Sequence, residues 1–336
     1  MILVTGATGM LGAHLLLHLL QKKLELPIRA LYRTESKKEY VNNWILSKFP
    51  EANVSKISWY KADVTDIPML TLAFKSISHI YHCAGFISFN PKDLSHLNKT
   101  NIEGTANMVN LALHFNVTKF VHVSSIATLG DPNINKMLDE NSIWNPERYN
   151  GDYAISKNGG EIEVWRAINE GLNAVIVNPG VILGDGFWNS GSAELFNKIN
   201  NGFSFYTKGT TGFVAVTDVV NCMIQLMESN IKNQRFILVE SSKSYQSIFN
   251  IIADALGKKR PSLYANAFVT GLTWRILYLI STIFKISPTL TKDTALSAHS
   301  ISTYDNSKII ETLSYNFLPI EEYIKDIANL YKKSSV

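Results

Sequence analysis

Thr5-Gly6-Ala7-Thr8-Gly9-Met10-Leu11-Gly12 follows directly on the short apolar run Ile2–Thr5 and opens a helical pattern over Met10–Lys23, with Leu11, Leu15, Leu16 and Leu19 on one side. Glycines at these positions let the backbone turn tightly and approach a pyrophosphate, and the helix start then offers free N–H groups and partial positive charge to the anion. The spacing G-x-x-G-x-x-G carries weight because a strand precedes it and a helix follows. Outward from this loop, strand and helix patterns alternate. Ile28–Tyr32, Ile57–Tyr60, His79–His82, Phe120–Ser124 and Ala174–Asn178 read as further strands. Glu35–Lys48, Leu94–Phe115 and Tyr153–Glu170 read as helices. This rhythm predicts an α/β chain with a Rossmann-type, doubly wound parallel sheet whose ligand lies at the carboxyl ends of the strands.

The rhythm stops after Asn178-Pro179. Gly180–Gly212 is rich in Gly, Asn, Ser and aromatic residues, Phe213–Met227 and Phe236–Val239 read as a return to the sheet, and helical segments dominate from Glu240. Pro319–Lys333 is amphipathic, with Ile320, Tyr323, Ile324, Ile327 and Leu330 on one face. The expected division is a dinucleotide-binding domain over 1–180 plus 213–239, and a smaller, mainly helical substrate lobe built from C-terminal insertions over 181–212 plus 240–336.

The chain has 336 residues, with 32 Lys+Arg against 28 Asp+Glu, and no basic run that would mark nucleic acid as a partner. Charged residues make up only 18%, which excludes a disordered chain and predicts greasy surface or a greasy pocket. Cys83 and Cys222 are the only cysteines, too few for a disulfide scaffold, and no basic segment precedes the first apolar residues. A cytoplasmic enzyme without a signal peptide is expected. His14 and His18 lack the glutamate of a zinc helix, so no metal site is read from them. The apolar stretch 265–284 is long enough to span a bilayer but has Arg275 near its middle. The expectation is a buried or substrate-covering helix, with membrane contact as the alternative.

Arg33 stands at the end of the second strand, where enzymes preferring NAD carry a carboxylate for the ribose. An Arg there can hold a 2′-phosphate, so NADP(H) is favoured over NAD, with Glu35 close enough to compete. Asp63 is placed to take the adenine amino group, and Asp66 reads equally as a helix cap. Tyr153 and Lys157 share one helix face. An ammonium beside a phenol favours the phenolate, bringing proton transfer within reach of neutral pH. Ser124-Ser125 ends the neighbouring strand, where a hydroxyl can hydrogen-bond a substrate carbonyl. His82 reads as packed against backbone, Cys83 as a small buried apolar residue, and Asn101 and Thr105 as groups orienting backbone.

Taken together, TGATGMLG, Asp63-Val-Thr-Asp66, His82-Cys-Ala-Gly85, Asn101-Ile-Glu-Gly104-Thr105, Val123-Ser124-Ser125, Tyr153-x-x-x-Lys157 and Asn178-Pro179-Gly180 resemble the extended short-chain dehydrogenase/reductase (NAD-dependent epimerase/dehydratase) family. The dihydroflavonol reductase and 3β-hydroxysteroid dehydrogenase branch is the most similar. The resemblance implies a Ser125, Tyr153, Lys157 triad, with Ser125 chosen because it lies five residues before Gly130. It also implies a cofactor lined by Thr5, Gly6, Thr8, Gly9, Met10, Leu11 and Gly12, by Val64, by Cys83, Ala84 and Gly85, by Asn101 and Val123, and by Asn178, Pro179, Gly180 and Val181. Ile126-Ala127 replaces the Asp-Glu that follows the equivalent position in dehydratases, and Thr211-Gly212 stands where sugar-nucleotide epimerases carry a basic residue. A small-molecule ketone or alcohol, apolar or aromatic, is therefore the expected substrate. Phe86, Phe89, Phe187, Trp188, Phe196, Phe203, Phe205 and Tyr206 are candidates to line it, although aromatic stripes are more often core than pocket. The alternatives are a sugar-nucleotide epimerase with tightly bound NAD and a non-catalytic NADP-binding protein. Relatives pair helices such as Leu94–Phe115 and Tyr153–Glu170, so a homodimer is expected, with Met108, Leu111 and Ala112 as its apolar face.

Overall fold

A computed structural model describes residues 1–22, 26–131, 137–284 and 286–334. The first half runs β1 (Ile2–Thr5), α1 (Met10–Gln21), β2 (Ile28–Tyr32), α2 (Glu35–Lys48), β3 (Ile57–Lys61), α3 (Ile67–Ala73), β4 (His79–His82), α4 (Leu94–Leu97), a π-helical stretch Asn98–Glu103, α5 (Gly104–His114), β5 (Lys119–Val123), α6 (Asp152–Asn169) and β6 (Ala174–Pro179). The second half runs β7 (Val181–Leu183), α7 (Glu194–Asn200), β8 (Phe205–Tyr206), β9 (Thr210–Ala215), α8 (Val216–Glu228), β10 (Gln234–Leu238), β11 (Ser241–Ser244), α9 (Tyr245–Leu256), β12 (Leu263–Tyr264), α10 (Ala267–Phe284), α11 (Lys292–Ser297), α12 (Ser307–Leu313) and α13 (Ile320–Ser334). Lys23, at the end of the expected first helix, lies outside the described residues.

Seven strands form one parallel sheet in the order β10-β6-β5-β4-β1-β2-β3. The chain leaves β1 toward β2 on one side and returns to β4 on the other, so the order reverses beside β1 and opens a crevice at its carboxyl end. Thr5 pairs with His82 and His82 with His122, which aligns these ends in one row. Side chains alternate between the faces. Ile2, Val4, Val121, Val175 and Val177 pack with α1, α2 and α8 on one face. Leu3, Ile80, Phe120 and Ile176 pack with α3, α5 and α6 on the other. Burial on both faces explains the nearly continuous apolar strands.

Two smaller sheets complete the fold. β9 pairs antiparallel with β11 and parallel with β7, so Phe213–Ala215 belongs to a separate sheet and the return to the main one begins with α8 and β10. Ile309 of α12, within the segment 240–336, is buried with Phe236 and Leu238 in the core of the main sheet. α13 presents Ile320, Tyr323, Ile324, Ile327 and Tyr331 to α9, and Leu330 is only half-buried.

Three expectations need correction. α10 is not a buried helix: Thr270 and Ser281 are its only buried residues. Met108 and Ala112 cannot form an outer dimer face, because both are fully buried against the main sheet. The aromatic residues of the second half do not gather at one place. Phe196 lies in a core with Trp188 and Tyr331, Phe187 packs on Trp44 and Tyr40, and Phe203 meets Phe205 and Phe249. Phe196 and Phe187 fill local gaps between elements, which is what large apolar rings most often do, whereas Phe203 and Phe205 stay largely exposed.

Candidate active site

The glycine loop closes against the end of β4. Gly6 has φ +64, and a Cβ there would stand 2.6 Å from the Cys83 carbonyl carbon. A Cβ at Gly12 would meet the Gly6 oxygen at 2.3 Å. No side chain caps Gly9 at the start of α1, so the first N–H groups of that helix remain available to an anion. This cradle, which any side chain would fill, fits the pyrophosphate of a dinucleotide.

Arg33 and Asp63 meet at the ends of β2 and β3, Nη1 to Oδ2 at 3.2 Å. Burial acts to raise the Asp63 carboxyl, but the Thr65 N–H and hydroxyl and the Arg33 guanidinium outweigh it and hold the group below its ordinary value. Glu35 pairs with Lys38. Asp66 caps α3 by accepting from the Met69 N–H at 3.2 Å. The Asn107 amide donates to the Val64 carbonyl at 3.1 Å, fixing the loop beyond β3.

Buried polar side chains tie the crevice floor together. His82 lies between Thr5 Oγ1 at 2.7 Å and Thr105 Oγ1 at 3.1 Å, so side chains hold it where packing against backbone was expected. Burial, with the nearby Lys157 charge, pushes His82 down to about 3, and it stays neutral. Burial pushes the Cys83 thiol up to about 12. Asn101, in the π-helical turn, accepts from the Phe86 N–H at 2.8 Å and donates to the Phe86 carbonyl and Ser156 Oγ, each at 2.9 Å. It thereby fixes the backbone beyond Gly85. A π-helical turn is uncommon and recurs at functional sites.

Ser125 follows β5, and Tyr153 and Lys157 stand one turn apart in the first half of α6. The Ser125 hydroxyl accepts from the Ala127 N–H at 3.1 Å and acts to lower the Tyr153 phenol. Lys157 is buried and donates to the Val123 carbonyl at 2.8 Å. The phenol departs from the expected direction: burial raises Tyr153 above its ordinary value, and the Ser125 hydroxyl offsets this only in part. Lys157 is drawn down to about 8 by burial, with Glu161 and Cys83 acting the other way. The Phe89 ring lies 5.7 Å from that of Tyr153, making it an expected aromatic that does reach the site.

Ser124 points elsewhere. Its hydroxyl donates to Glu161 Oε2 at 2.5 Å, and the same oxygen accepts from Thr128 and from the Asn178 amide, each at 2.8 Å. The other carboxylate oxygen meets Arg235 Nη1 at 3.0 Å. This buried network, centred on Glu161 and Arg235, was missed in the sequence. Its signal was Glu161 standing one helical turn after Lys157 on the same face of α6. Gly180 crosses Gly212 closely, where a Cβ would sit 2.5 Å from the Gly212 oxygen, and Val181 begins β7 directly beyond.

Comparison with known proteins agrees with this geometry. Residues 2–239 match the model of the NAD dependent epimerase/dehydratase family. The chain belongs to this family. It is an NAD(P)-dependent enzyme of the extended short-chain dehydrogenase/reductase type, and its relatives include reductases. It is 27% identical over 267 residues to "Sterol demethylase protein B" of Methylococcus capsulatus, covering 78% of this chain and 76% of that protein. It is 30% identical over 181 residues to a putative dihydroflavonol 4-reductase of Synechocystis, covering 54% of this chain and 49% of that one. The crystal structure of gox2253 superposes with a TM-score of 0.81 at 23% identity, covering 99% and 98% of the two chains, and shares the fold.

Proposed function

We propose that this family member is a ketone reductase/alcohol dehydrogenase for an apolar or aromatic small molecule, working through Ser125, Tyr153 and Lys157. The neighbouring Ser125 and Tyr153 side chains, with the Lys157 ammonium one turn along α6, carry the reading. Phe89 supplies an apolar wall beside them, and Thr211-Gly212 offers no charge for a diphosphate.

A nicotinamide dinucleotide, when bound, supplies or accepts the hydride. The residues suited to hold it follow the crevice. Gly6, Gly9 and Gly12, with Thr5, Thr8, Met10 and Leu11, face the pyrophosphate. Arg33, Asp63 and Val64 face the adenosine. Cys83, Ala84, Gly85, Asn101, Val123 and the turn from Asn178 through Pro179 and Gly180 to Val181 complete the wall.

Ser125 donates a hydrogen bond to the substrate carbonyl oxygen and shares its developing charge. Tyr153 gives its proton to the same oxygen. A phenol raised by burial is fully protonated at neutral pH, which suits the donor role in reduction. The charge of Lys157 favours the phenolate left behind, and this support fades as pH rises through about 8 and the ammonium deprotonates. Reduction should therefore decline above that pH.

The test is Tyr153→Phe with a panel of ring ketones. Turnover should fall by roughly a hundredfold to ten-thousandfold, the range for one general acid, while dinucleotide affinity stays nearly unchanged. Near wild-type turnover in the variant would refute the assignment. Interconversion of a sugar nucleotide without net cofactor turnover would replace it with epimerisation.

A further inference from the structure

Among the described residues, α10 is the one helix long and apolar enough to cross a membrane. Phe268, Leu272, Leu279 and Ile283 project from it at 79%, 52%, 61% and 72% exposure. At helical spacing they form one stripe, with Val269, Ile276, Ile280 and Phe284 widening it to nearly half the circumference. The opposite seam holds the buried Thr270 and Ser281 and half-buried Trp274 and Leu277. Thr270 Oγ1 lies 2.8 Å from His299 Nε2, which anchors that seam to the fold. The small sheet leading into the helix exposes Phe205, Leu263 and Tyr264 as well.

Along the chain on both sides of this helix, cations dominate, although Arg260 is paired with Asp254. No Asp or Glu occurs between Asp254 and Asp293, whereas Lys258, Lys259, Arg260, Arg275, Lys285 and Lys292 all fall there. Lys208 stacks over Tyr264 at 4.9 Å, adding another cation beside the exposed rings. A broad apolar stripe with basic and aromatic flanks and no acid matches an anionic bilayer surface.

We propose that α10 lies in the plane of an anionic lipid surface, with its apolar stripe inserted and its basic flanks on the headgroups. Lying in the plane follows from two observations. The Thr270–Ser281 seam is held by the rest of the chain, and Arg275, exposed on the stripe's edge with its Nη1 bonded to the Gly271 carbonyl, would be costly at bilayer mid-depth but can snorkel at its surface. The adjoining α11 carries Asp293, whose carboxylate accepts from the Tyr149 hydroxyl and stands against Gly151, two residues before Tyr153. α11, which packs on the lipid-facing helix, thus reaches the loop before Tyr153, although the inference does not depend on the proposed chemistry.

The test is co-sedimentation of the full chain with vesicles of phosphatidylcholine alone and of phosphatidylcholine mixed with phosphatidylglycerol. Wild type should partition onto the anionic vesicles, weakly onto the neutral ones, and less as salt rises. The variant Phe268→Ser/Leu279→Ser/Ile283→Ser should lose roughly a hundredfold or more in partitioning, from the apolar area withdrawn. Its melting temperature should not change, since these side chains are exposed. Lys258→Gln/Lys259→Gln, which leaves the helix untouched, should lose roughly tenfold. Three results would overturn the proposal: wild type remaining in solution with both vesicle types, equal binding to both, or undiminished binding by the triple variant. A stable dimer in solution that the triple variant dissociates, with no vesicle binding by wild type, would instead assign the stripe to a second copy of the chain.

Discussion

At the carboxyl edge of the main sheet, Lys157, Glu161, His82 and Asn101 are buried and each has found a partner. Along α10 the situation is inverted: Phe268, Leu279 and Ile283 stand mostly in water. Both regions violate the simple sorting of apolar residues inside and polar residues outside, and each violation has its own cost. A polar group taken from water must be hydrogen-bonded, and the network around Glu161 shows that condition met. An apolar surface left in water gains nothing unless something covers it. The polar region is largely satisfied within this chain, with Asn178 Oδ1 and the ring nitrogens of His122 left over. The apolar one is not.

If the edge is the largely satisfied region, cutting its centre should hurt most. Glu161→Gln leaves the Arg235 guanidinium without its carboxylate and replaces an acceptor of three donors by an amide. Breaking such a buried pair costs about 3–5 kcal/mol. Denaturant unfolding should show that loss, and a change below about 1 kcal/mol would mean the network is less coupled than its geometry indicates.

The two adjacent serines sharpen the contrast between holding the fold and touching substrate. Ser125→Ala should lower turnover by roughly a hundredfold, with stability nearly constant. Ser124→Ala should lower stability by about 1–2 kcal/mol, because Glu161 loses one donor, and change turnover little. A reversed pattern, measured by turnover and urea midpoint on both variants, would move the catalytic role to Ser124.

The split between the two serines also shows where sequence reasoning reached and where it stopped. The loop Thr5–Gly12, the order of strands and the helix cap at Asp66 could be read because each rests on local spacing. Glu161 could not, since its partners Arg235 and Asn178 arrive from strands far apart in sequence. Phe196 and Phe187 were misplaced for the same reason: a ring's type says it will be covered, but not by what. Met108 and Ala112 lie on the face that α5 turns to the sheet, and helical spacing alone does not say which face meets the core. The exposure of α10 ran against expectation because an apolar helix is normally buried by its own chain, and this one is not.

Acid should separate the edge from the rest of the molecule. His82 is held near pKa 3 by burial, and His122, stacked on it with ring centroids 5.3 Å apart, is also pushed down by burial. Both bind a proton in the unfolded chain near 6.5 but not in the folded one. Their stabilisation is thus fully present above about pH 6.5 and is lost as pH falls toward their folded values. The slope should approach about 1.4 kcal/mol per pH unit for each histidine below its unfolded pKa. Urea midpoints measured from pH 7 to pH 5 should fall accordingly, and less steeply in His82→Gln/His122→Gln. A flat profile in wild type would show that these rings can be protonated in place.

The smallest effect is expected at the outer end of the crevice, where the edge gives way to solvent. Arg33 is 58% exposed in its side chain, and its bond to Asp63 is a surface ion pair, worth little by itself. The guanidinium is therefore free to leave Asp63 for a stronger anion, and a 2′-phosphate offers two charges and a planar, bidentate match. Glu35, the competing ribose acceptor, is already engaged by Lys38, which leaves Arg33 as the group facing the adenosine side. We expect NADP to bind more tightly than NAD. Arg33→Ala should erase roughly a tenfold preference while changing NAD affinity little, as for one charge-assisted contact at a half-exposed site. Titration of both dinucleotides against both proteins decides it. Equal affinities in wild type would mean that Arg33 stays with Asp63. Tighter NAD binding would mean that Glu35 leaves Lys38 to take the ribose.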